Sequence, residues 1–440
     1  MTTHYGNIPC TFYRDFETWK ELEPSSGGIG GPITYGRNST ATYIGSNGYL
    51  QTASANQPRF GYEYDSNGDL VYRGLLIEAG AGNNYLLYSE DFSQANWTKT
   101  NCLVNSVSVT NPDGSTSGQK IAKLSANGAI SQSYTSNNTN ANTSYARMFH
   151  LSIMAKASEC GYLILSISNG TDGIDCYYDL NNGTVGTNGA GGNNMVFIYK
   201  HITNMGNGWY RCFLCVRDDN LTNKTFTFTY TPTTTSTGMT INNTGDGAYL
   251  WGAMLFYESN APINYQNTSK SYIKTTSTIS VNAADFCYIG YSSDTRYISR
   301  FLGNYNNGQI SLFGQFSLPY NLKAGITQAY MDIGIQSTSL YYRQIGSNCN
   351  ILFRVTGIGT FDYANFPILD DNNKGILTYG PGLGSKACLN NGTIYSSNAA
   401  SLATTYPIYY ISLRGDAYYK KVFCMPTILS NSQLSRLTTL

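Results

Sequence analysis

The sequence predicts an all-β protein in which an N-terminal, hairpin-rich segment precedes two β-sandwiches, with very little helix. Segments such as Tyr162–Ser168 (YLILSIS) and Thr225–Thr231 (TFTFTYT) show the apolar runs or the apolar and polar alternation that are typical of strands. Clusters of Gly, Asn and Asp separate these segments. No long stretch keeps the apolar period of about 3.6 residues that indicates a helix. Many short strands joined by turns, without the spacing of βαβ units, indicate two-sheet sandwiches.

The pattern divides the chain into three regions, namely 1–75, 76–272 and 273–440. In the first region, two SNG turn sequences, Ser46–Gly48 and Ser66–Gly68, lie between short aromatic-bearing segments and predict hairpins. Such a region buries little surface by itself, so we expect it to dock on a neighbouring domain or on another chain. The other two regions are the predicted sandwiches.

A Thr- and Ser-rich linker, 263–280, leads into the second sandwich, which ends in one short predicted helix. Ser430 followed by Gln433 matches a capping box, in which each side chain satisfies a backbone N–H of the other residue. Leu434 and Leu437 follow at helical spacing.

The composition argues against several classes of partner. Only 12% of the residues are charged and the formal net charge is +1, so no field of one sign is present to attract nucleic acid. No apolar run approaches the length of a membrane span, and the N-terminus lacks the pattern of a secretory signal. A neutral surface rich in hydroxyl and amide groups, with 38 Tyr, suits assembly contacts or glycan contacts. We therefore predict no nucleic-acid partner and no membrane span.

The ten cysteines are spread singly, mostly inside apolar runs, apart from the close pair Cys212 and Cys215. This pattern favours free, buried thiols made in a reducing compartment over a disulfide framework. Cys212 and Cys215 lie three apart in a predicted strand, so they are expected on opposite faces and not in one metal or redox site.

Several short motifs occur in order between Arg37 and Asn101. That segment resembles a recurrent part of tailed-bacteriophage structural proteins, in which a hairpin series leads through a GLLIE motif into a concanavalin A-like jelly roll. The matching positions are Ser39–Tyr43, Gly48, Leu50, Pro58–Phe60, Gly74–Glu78, Asn84, Leu86–Phe92 and Trp97.

Two further segments, Gly206–Cys212 and Ala248–Ser269, resemble later strands of the same family. The C-terminal half resembles a laminin-G-like or lectin-like sandwich, mainly through KACLNNGTIYSS. The resemblance implies two concanavalin A-like jelly rolls. It also implies structural roles, such as turn capping, for Glu78, Glu90 and Asp91.

The resemblance implies that the chain is a virion component made in the host cytoplasm, most often a tail or fibre protein. Implied partners are other virion proteins, further copies of the same chain in a homo-oligomer, and host surface glycan. A head fibre or a capsid decoration protein is the alternative location.

We predict no enzymatic activity. Glycoside hydrolysis is the most specific enzyme hypothesis for this fold, and it needs two carboxylates about 5 to 10 Å apart. The chain has eight Glu, and none follows Glu258. Asp175 and Asp179 come nearest to a strand-borne pair, and a polysaccharide depolymerase that uses them is the alternative. His150 and His201 lie in apolar strands and are predicted to be structural.

One loop is a candidate metal site. Asp370, Asp371, Asn372 and Asn373 form an oxygen-rich run of the kind that binds Ca²⁺ in lectin-like sandwiches. A solvated turn is the alternative reading of the same residues. A weaker counterpart is the run 218–220, and no other cofactor is predicted.

Glycan binding requires exposed aromatic rings beside polar side chains, because sugars stack on rings and their hydroxyls take hydrogen bonds. Tyr341, Tyr342 and Arg343, with Tyr379, are the predicted glycan-binding residues. Assembly contact or core packing is the alternative role for each of these tyrosines.

Overall fold

The structure is a computed structural model that describes most of the chain. The described residues are 4–5, 8–10, 12–18, 20, 33–78, 80–136, 145–189, 194–219, 224–262, 270–289, 310–317, 328–333, 338–345, 348–355, 359–366, 373–380, 384–390, 392–397, 411–415, 417–425, 427 and 429–439. For some residues inside these ranges only the backbone is described.

The all-β prediction is confirmed, since the described elements are antiparallel strands and one short helix. The strands of the N-terminal part are β1 (His4–Tyr5), β2 (Ile8–Pro9), β3 (Phe12–Asp15), β4 (Ile33–Gly36), β5 (Ala41–Ile44), β6 (Leu50–Ala53), β7 (Arg59–Tyr64), β8 (Leu70–Ile77) and β9 (Gly82–Asn84). The next strands are β10 (Thr98–Thr100), β11 (Cys102–Ser108), β12 (Ser117–Lys123), β13 (Ala129–Ser136), β14 (Tyr145–Ala157), β15 (Tyr162–Ser168), β16 (Gly173–Asp179), β17 (Thr184–Asn188), β18 (Met195–Asn204), β19 (Trp209–Asp218), β20 (Lys224–Thr233) and β21 (Gly247–Pro262). The C-terminal strands are β22 (Ser280–Asn282), β23 (Phe286–Ile289), β24 (Ile310–Ser317), β25 (Gln328–Ile333), β26 (Thr338–Ile345), β27 (Asn348–Val355), β28 (Gly359–Phe366), β29 (Asn373–Gly380), β30 (Gly384–Leu389), β31 (Tyr395–Ser397), β32 (Ile411–Gly415) and β33 (Ala417–Met425), followed by the helix α1 (Asn431–Thr439).

Two six-stranded sheets form the first sandwich. The front sheet has the strand order β10-β13-β20-β15-β16-β17, and the back sheet has the order β11-β12-β21-β14-β19-β18. Alternate residues of each strand point into the core between the sheets, as Phe226, Phe228 and Tyr230 of β20 show. Trp97 belongs to this core and is 1% exposed.

Two larger sheets contain the remaining long strands. One has seven strands in the order β28-β27-β26-β25-β32-β23-β4, and the other has ten, in the order β31-β30-β29-β24-β33-β8-β7-β5-β6 with β3 beside β33. The N-terminal strands therefore share sheets with strands of the C-terminal half. β8, which runs across residue 75, pairs directly with β33 through Leu75 and Tyr419.

The two predicted SNG hairpins are present. Gly48 donates its backbone N–H to Gly45 in the turn between β5 and β6, and Gly68 donates to Asp65 in the turn between β7 and β8. Both turn glycines have positive φ, which explains why glycine stands at these positions.

The hairpins pack on the outer face of the back sheet. Trp209, Trp251 and Met254 of that sheet form a buried cluster with Ile44 of β5 and with Tyr272. Tyr272 is 2% exposed, so this part of the predicted linker is packed between the hairpins and the sandwich. The described hairpins of the region 1–75 thus bury apolar side chains against neighbouring parts of their own chain.

The C-terminal helix begins with the predicted capping box. The hydroxyl of Ser430 accepts the backbone N–H of Gln433 at 3.3 Å, and the Gln433 side chain accepts the Ser430 N–H at 2.8 Å. Leu434 and Leu437 are fully buried in a cluster that includes Phe423 of β33. The local signal in the sequence therefore predicted both the start and the buried face of this helix.

Nine cysteines have described side chains; all nine are buried, and none of the nine forms a disulfide. Cys212 lies in the core of the first sandwich and Cys215 lies on the opposite face of the same strand, as the sequence predicted. Burial raises the pKa of both thiols well above the ordinary value, so both stay protonated and unreactive near neutral pH.

Candidate contact face of the first sandwich

The outward side of the front sheet is covered by hydroxyl groups. Because side chains alternate along a strand, the residues between the core positions of β13, β20, β15 and β16 all point outward. We name this surface the hydroxyl face, and its members are Ser131, Ser133, Thr135, Thr225, Thr227, Thr229, Ser166, Ser168 and Asp175. None of them is buried.

The strand register aligns these side chains in rows. One row crosses four strands, since Ser131 lies opposite Thr229, Thr229 opposite Ser166, and Ser166 opposite Asp175. Neighbouring strands in a sheet are about 4.8 Å apart, so each row presents polar groups at that interval. A regular array of this kind matches an extended, hydroxyl-bearing or amide-bearing partner better than a compact charged ligand.

Hydrogen bonds within the array fix some of the side chains. The hydroxyls of Ser133 and Thr227 are 3.0 Å apart, and those of Thr135 and Thr225 are 2.8 Å apart. Each hydroxyl can donate one hydrogen bond and accept two, so every pair keeps capacity toward a partner. The face is therefore ordered and still able to form hydrogen bonds.

A loop after β20 forms a raised border on one side. The backbone N–H of Gly238 donates to the Tyr177 hydroxyl at 3.0 Å, which places this loop beside the neighbouring row of β16. Met239, the next residue of the loop, is 42% exposed, while Ile164 on the outward side of β15 is fully buried. Tyr177 and Met239 thus provide an aromatic and apolar edge next to the hydroxyl rows.

Asp175 is the single charged member of the hydroxyl face. Its carboxylate makes no hydrogen bond or ion pair with any described residue, whereas Asp179 accepts the backbone N–H groups of Asn181 and Asn182 at 2.9 and 3.1 Å. Residues four apart on a strand are separated by about 13 Å, which exceeds the spacing of a glycosidase pair. Asp175 can therefore accept hydrogen bonds from a ligand but has no second carboxylate on its strand in position for hydrolysis.

The described glutamates are engaged in structural contacts. Each lies within ion-pair distance of a basic side chain or a histidine: Glu17 with Lys421 (3.1 Å), Glu63 with Arg73 (3.2 Å), Glu78 with Arg59 (2.6 Å), Glu90 with Lys274 (2.5 Å), Glu159 with Lys120 (2.6 Å) and Glu258 with His150 (3.6 Å). These six glutamates thus take part in contacts within the fold.

Glu78 belongs to a buried ionic cluster that joins the hairpins to both halves of the chain. It accepts from Arg59 at 2.6 Å and from the backbone N–H of Ser271 at 2.7 Å. Arg59 also donates to Asp285 at 2.5 Å, and Arg37 donates to the other oxygen of Asp285 at 3.1 Å. Burial alone would lower the pKa of Arg59, but Glu78 and Asp285 raise it above its ordinary value.

The other two acids of the GLLIE-to-Trp segment also have structural partners. Glu90 accepts a hydrogen bond from the Tyr272 hydroxyl at 3.0 Å. Asp91 caps its own turn by accepting the backbone N–H of Ser93 at 3.1 Å. Burial opposes ionisation of Asp91, but the hydrogen bonds from Ser93, Gln94 and Gln119 together lower its pKa to about 2.

The predicted glycan-binding residues lie in two different sheets. The backbones of Tyr341, Tyr342 and Arg343 belong to β26 in the seven-stranded sheet, and that of Tyr379 belongs to β29 in the ten-stranded sheet. Their side chains lie outside the described part of the structure. The glycan site in the second sandwich therefore stays a prediction.

The predicted calcium loop is only partly described. Asp370, Asp371 and Asn372 lie outside the described residues. Asn373 is the first residue of β29, is fully buried, and its side-chain oxygen accepts from Asn390 at 2.9 Å. The loop as a calcium site also stays a prediction.

The weaker metal-site prediction at 218–220 is wrong, because both of its acids, Asp218 and Asp219, pair with arginines. Asp218 is fully buried in an ion pair with Arg147, and Asp219 pairs with Arg217 at 2.7 Å. Both carboxylates are thus neutralised by arginine instead of facing a cation. Elsewhere in the described residues, no group of three or more His, Cys, Asp or Glu side chains is placed to hold a metal ion.

The hydroxyl face is not among the sites that the sequence predicts. The alternating threonines of TFTFTYT predict a strand, and they also place hydroxyls along one side of that strand.

Within the described residues no helix is long and apolar enough to cross a membrane.

Comparisons with known proteins give only distant structural likenesses. No family model and no curated protein matches the chain. Among solved structures, the receptor-binding domain of a botulinum neurotoxin C/D mosaic serotype is similar with 10% identity and a TM-score of 0.28, over 35% of this chain and 40% of that one. Domains LG4-5 of the mouse laminin alpha1 chain are similar with 10% identity and a TM-score of 0.20, over 79% of this chain and 88% of that one.

Proposed function

We propose that the chain is a non-enzymatic contact protein of a phage-type virion, in a tail or a fibre, and that its hydroxyl face binds neutral glycan. The resemblance of the Arg37–Asn101 segment supports the virion role. The observation that carries the contact role is the ordered array of hydroxyls on the front sheet.

The chemistry of the face fits a polysaccharide. Sugar hydroxyls exchange hydrogen bonds with Ser and Thr hydroxyls, and a carboxylate such as Asp175 can accept two of them. Tyr177 and Met239 at the border offer the apolar surface that sugar rings require. The low formal charge of the chain favours neutral over strongly anionic glycans.

Glycan binding can be tested with the full-length chain on a glycan array. The variant Thr227→Lys places a long charged side chain at the centre of the hydroxyl face, and Thr278→Lys makes the same change at an exposed site away from it. We expect the wild type and Thr278→Lys to bind the same neutral glycans and Thr227→Lys to lose them. Absence of any bound glycan, or equal binding by the two variants, would refute the contact role.

The virion role can be tested separately on particles. Antibodies raised against the full chain should label purified particles at the tail or its fibres in immunogold electron microscopy. Labelling of the capsid would favour the head-fibre or decoration alternative. Chain found only in the soluble fraction, with unlabelled particles, would rule out the virion role and leave the glycan result standing.

A further inference from the structure

Strand β11 is an open edge of the back sheet. It pairs with β12 along its full length, from Cys102 opposite Lys123 to Ser108 opposite Ser117, without any register shift. No described strand pairs with its other side. An unpaired strand edge of seven residues is a ready template for another strand.

Hydrogen bonds near one end of β11 show which backbone groups face outward. The N–H of Leu124 donates to the carbonyl of Asn101 at 2.8 Å, so the groups of Asn101 face β12. The N–H of Lys123 instead donates to Asp246 at 2.8 Å, on the side of β12 away from β11. Cys102 and Lys123 therefore form a pair without hydrogen bonds between them.

Backbone groups alternate in direction along an antiparallel strand. Since those of Cys102 face away from β12, the N–H and C=O groups of Val104 and Ser106 do so as well. Asn105 lies between them, and its own backbone groups face β12. The free edge consequently offers two donors and two acceptors that flank Asn105.

The other edges of the first sandwich are protected against pairing. β10 has three residues and includes Lys99. At the β17 edge of the front sheet, the ammonium of Lys200 binds the carbonyl of Gly186. β18, which carries that lysine, is the other edge of the back sheet and has a bulge between Phe197 and Tyr199. Short length, lysine and bulges are the usual means of blocking an edge. β11 has none of them, because it is regular and has no charged residue or proline.

The same edge exposes apolar side chains. Leu103 of β11 is 52% exposed, and Leu124, just after β12, is 46% exposed. Leu103 lies opposite Ala122, so the two leucines are on one face of the sheet at diagonal positions. Exposed leucines beside an unprotected edge are typical of an interface that is covered in an assembly.

We propose that β11 pairs antiparallel with β11 of a second copy of this chain, about a two-fold axis at Asn105. In this register Leu103 lies opposite Val107 of the other copy, and Val104 lies opposite Ser106. The pairing uses the outward backbone groups of Val104 and Ser106, joins apolar side chains across the axis, and brings no two charges together. It extends the back sheet across two copies.

This interface goes beyond the proposed glycan contact and does not depend on it, because the hydroxyl face belongs to the other sheet. Its failure would leave the glycan proposal untouched, and loss of glycan binding would leave the pairing in place.

A cysteine cross-link tests the register. The two copies of Asn105 form a pair without hydrogen bonds, whose Cα atoms are about 4.5 Å apart, within the reach of a disulfide. Full-length Asn105→Cys should form a covalent dimer under mild oxidation, while Ser133→Cys, exposed on the hydroxyl face, should remain monomeric on a non-reducing gel. The nine native cysteines with described side chains are buried and should contribute little. Equal cross-linking of the two variants, or none, would overturn the proposed register.

A charge variant tests the pairing without a covalent bond. In light scattering after size exclusion, the wild type should have the mass of an even-numbered assembly, and Asn105→Lys should halve it because two ammonium groups would meet at the axis. Thr278→Lys should keep the wild-type mass. A monomeric wild type, or an unchanged mass for Asn105→Lys, would contradict the interface. Should Asn105→Lys fail to fold, the cysteine variant still decides the question.

Discussion

The guanidinium of Arg59 donates a hydrogen bond to Oδ2 of Asp285 at 2.5 Å, although the two fully buried side chains are 226 positions apart in the sequence. Glu78 accepts from the same guanidinium, and its backbone N–H donates to Asp285 at 2.8 Å. Arg59 belongs to β7, Glu78 directly follows β8, and Asp285 directly precedes β23. This cluster fixes the N-terminal hairpins to the second half of the chain.

Replacing Arg59 by Met should strongly destabilise the protein. It would leave Glu78 and Asp285 buried without their shared partner, and breaking a buried pair in this way costs about 3–5 kcal/mol. The midpoint of chemical unfolding, followed by tryptophan fluorescence, measures the effect.

The matched control for this prediction is Arg217→Met. Arg217 pairs with Asp219 at the surface, where such a pair contributes about 0–1 kcal/mol. Equal unfolding midpoints for the two variants would show that the buried cluster does not stabilise the fold.

The same cluster predicts a loss of stability in acid. Burial alone would raise the pKa of Glu78, but Arg59 and Lys270 hold it below its ordinary value. The stabilisation is therefore complete above the unfolded-state pKa of about 4.3 and is lost as the pH falls toward the lower folded-state pKa. We expect Glu78→Gln to be less stable than the wild type at about pH 7 and the difference to shrink near about pH 3. A difference that stays constant across this range would contradict the assignment.

Gly74 in the GLLIE motif should not tolerate a side chain. Its φ is +120°, and an added Cβ would lie 2.4 Å from the carbonyl oxygen of Tyr419 in β33. Gly74→Ala should cost at least about 2 kcal/mol through backbone strain and overpacking. Gly170, with φ +85° and nothing within 4 Å, is the control, since Gly170→Ala should cost only about 1 kcal/mol of strain. Thermal unfolding compares the two, and similar shifts would show that β33 does not approach Gly74 this closely.

The capping box of α1 predicts a smaller effect. Ser430→Ala removes the acceptor for the Gln433 N–H and should cost about 1 kcal/mol. Ser435→Ala, inside the helix, should be neutral or slightly stabilising because Ala is the better helix former. Hydrogen exchange of the helix amides distinguishes them, and equal protection in both variants would rule out the cap.

Local patterns predicted the elements well. Strand β15 spans the segment that was predicted from its apolar run, and the helix cap at Ser430 is set by a signal four residues long. Both depend on contacts between near neighbours, which a sequence displays directly. The structural roles of Glu78, Glu90 and Asp91 were implied by resemblance and are confirmed by their hydrogen bonds.

Long-range pairing could not be predicted in the same way. Nothing near Leu75 indicates that its strand would pair with Tyr419, because this pairing depends on how two distant segments close a shared core. The hydroxyl face has the same origin. TFTFTYT showed one hydroxyl row, but the face exists only because β20 lies between β13 and β15.

Hydroxyl-radical footprinting with mass spectrometry tests the central claim most directly, using the full chain with and without the neutral glycan that it binds best. The account predicts that bound glycan protects Tyr177 and Met239 at the border of the hydroxyl face, while Leu103 and Leu124 at the β11 edge keep their rate of modification. Protection of Tyr341 and Tyr342 in β26, with Tyr177 and Met239 unchanged, would contradict it.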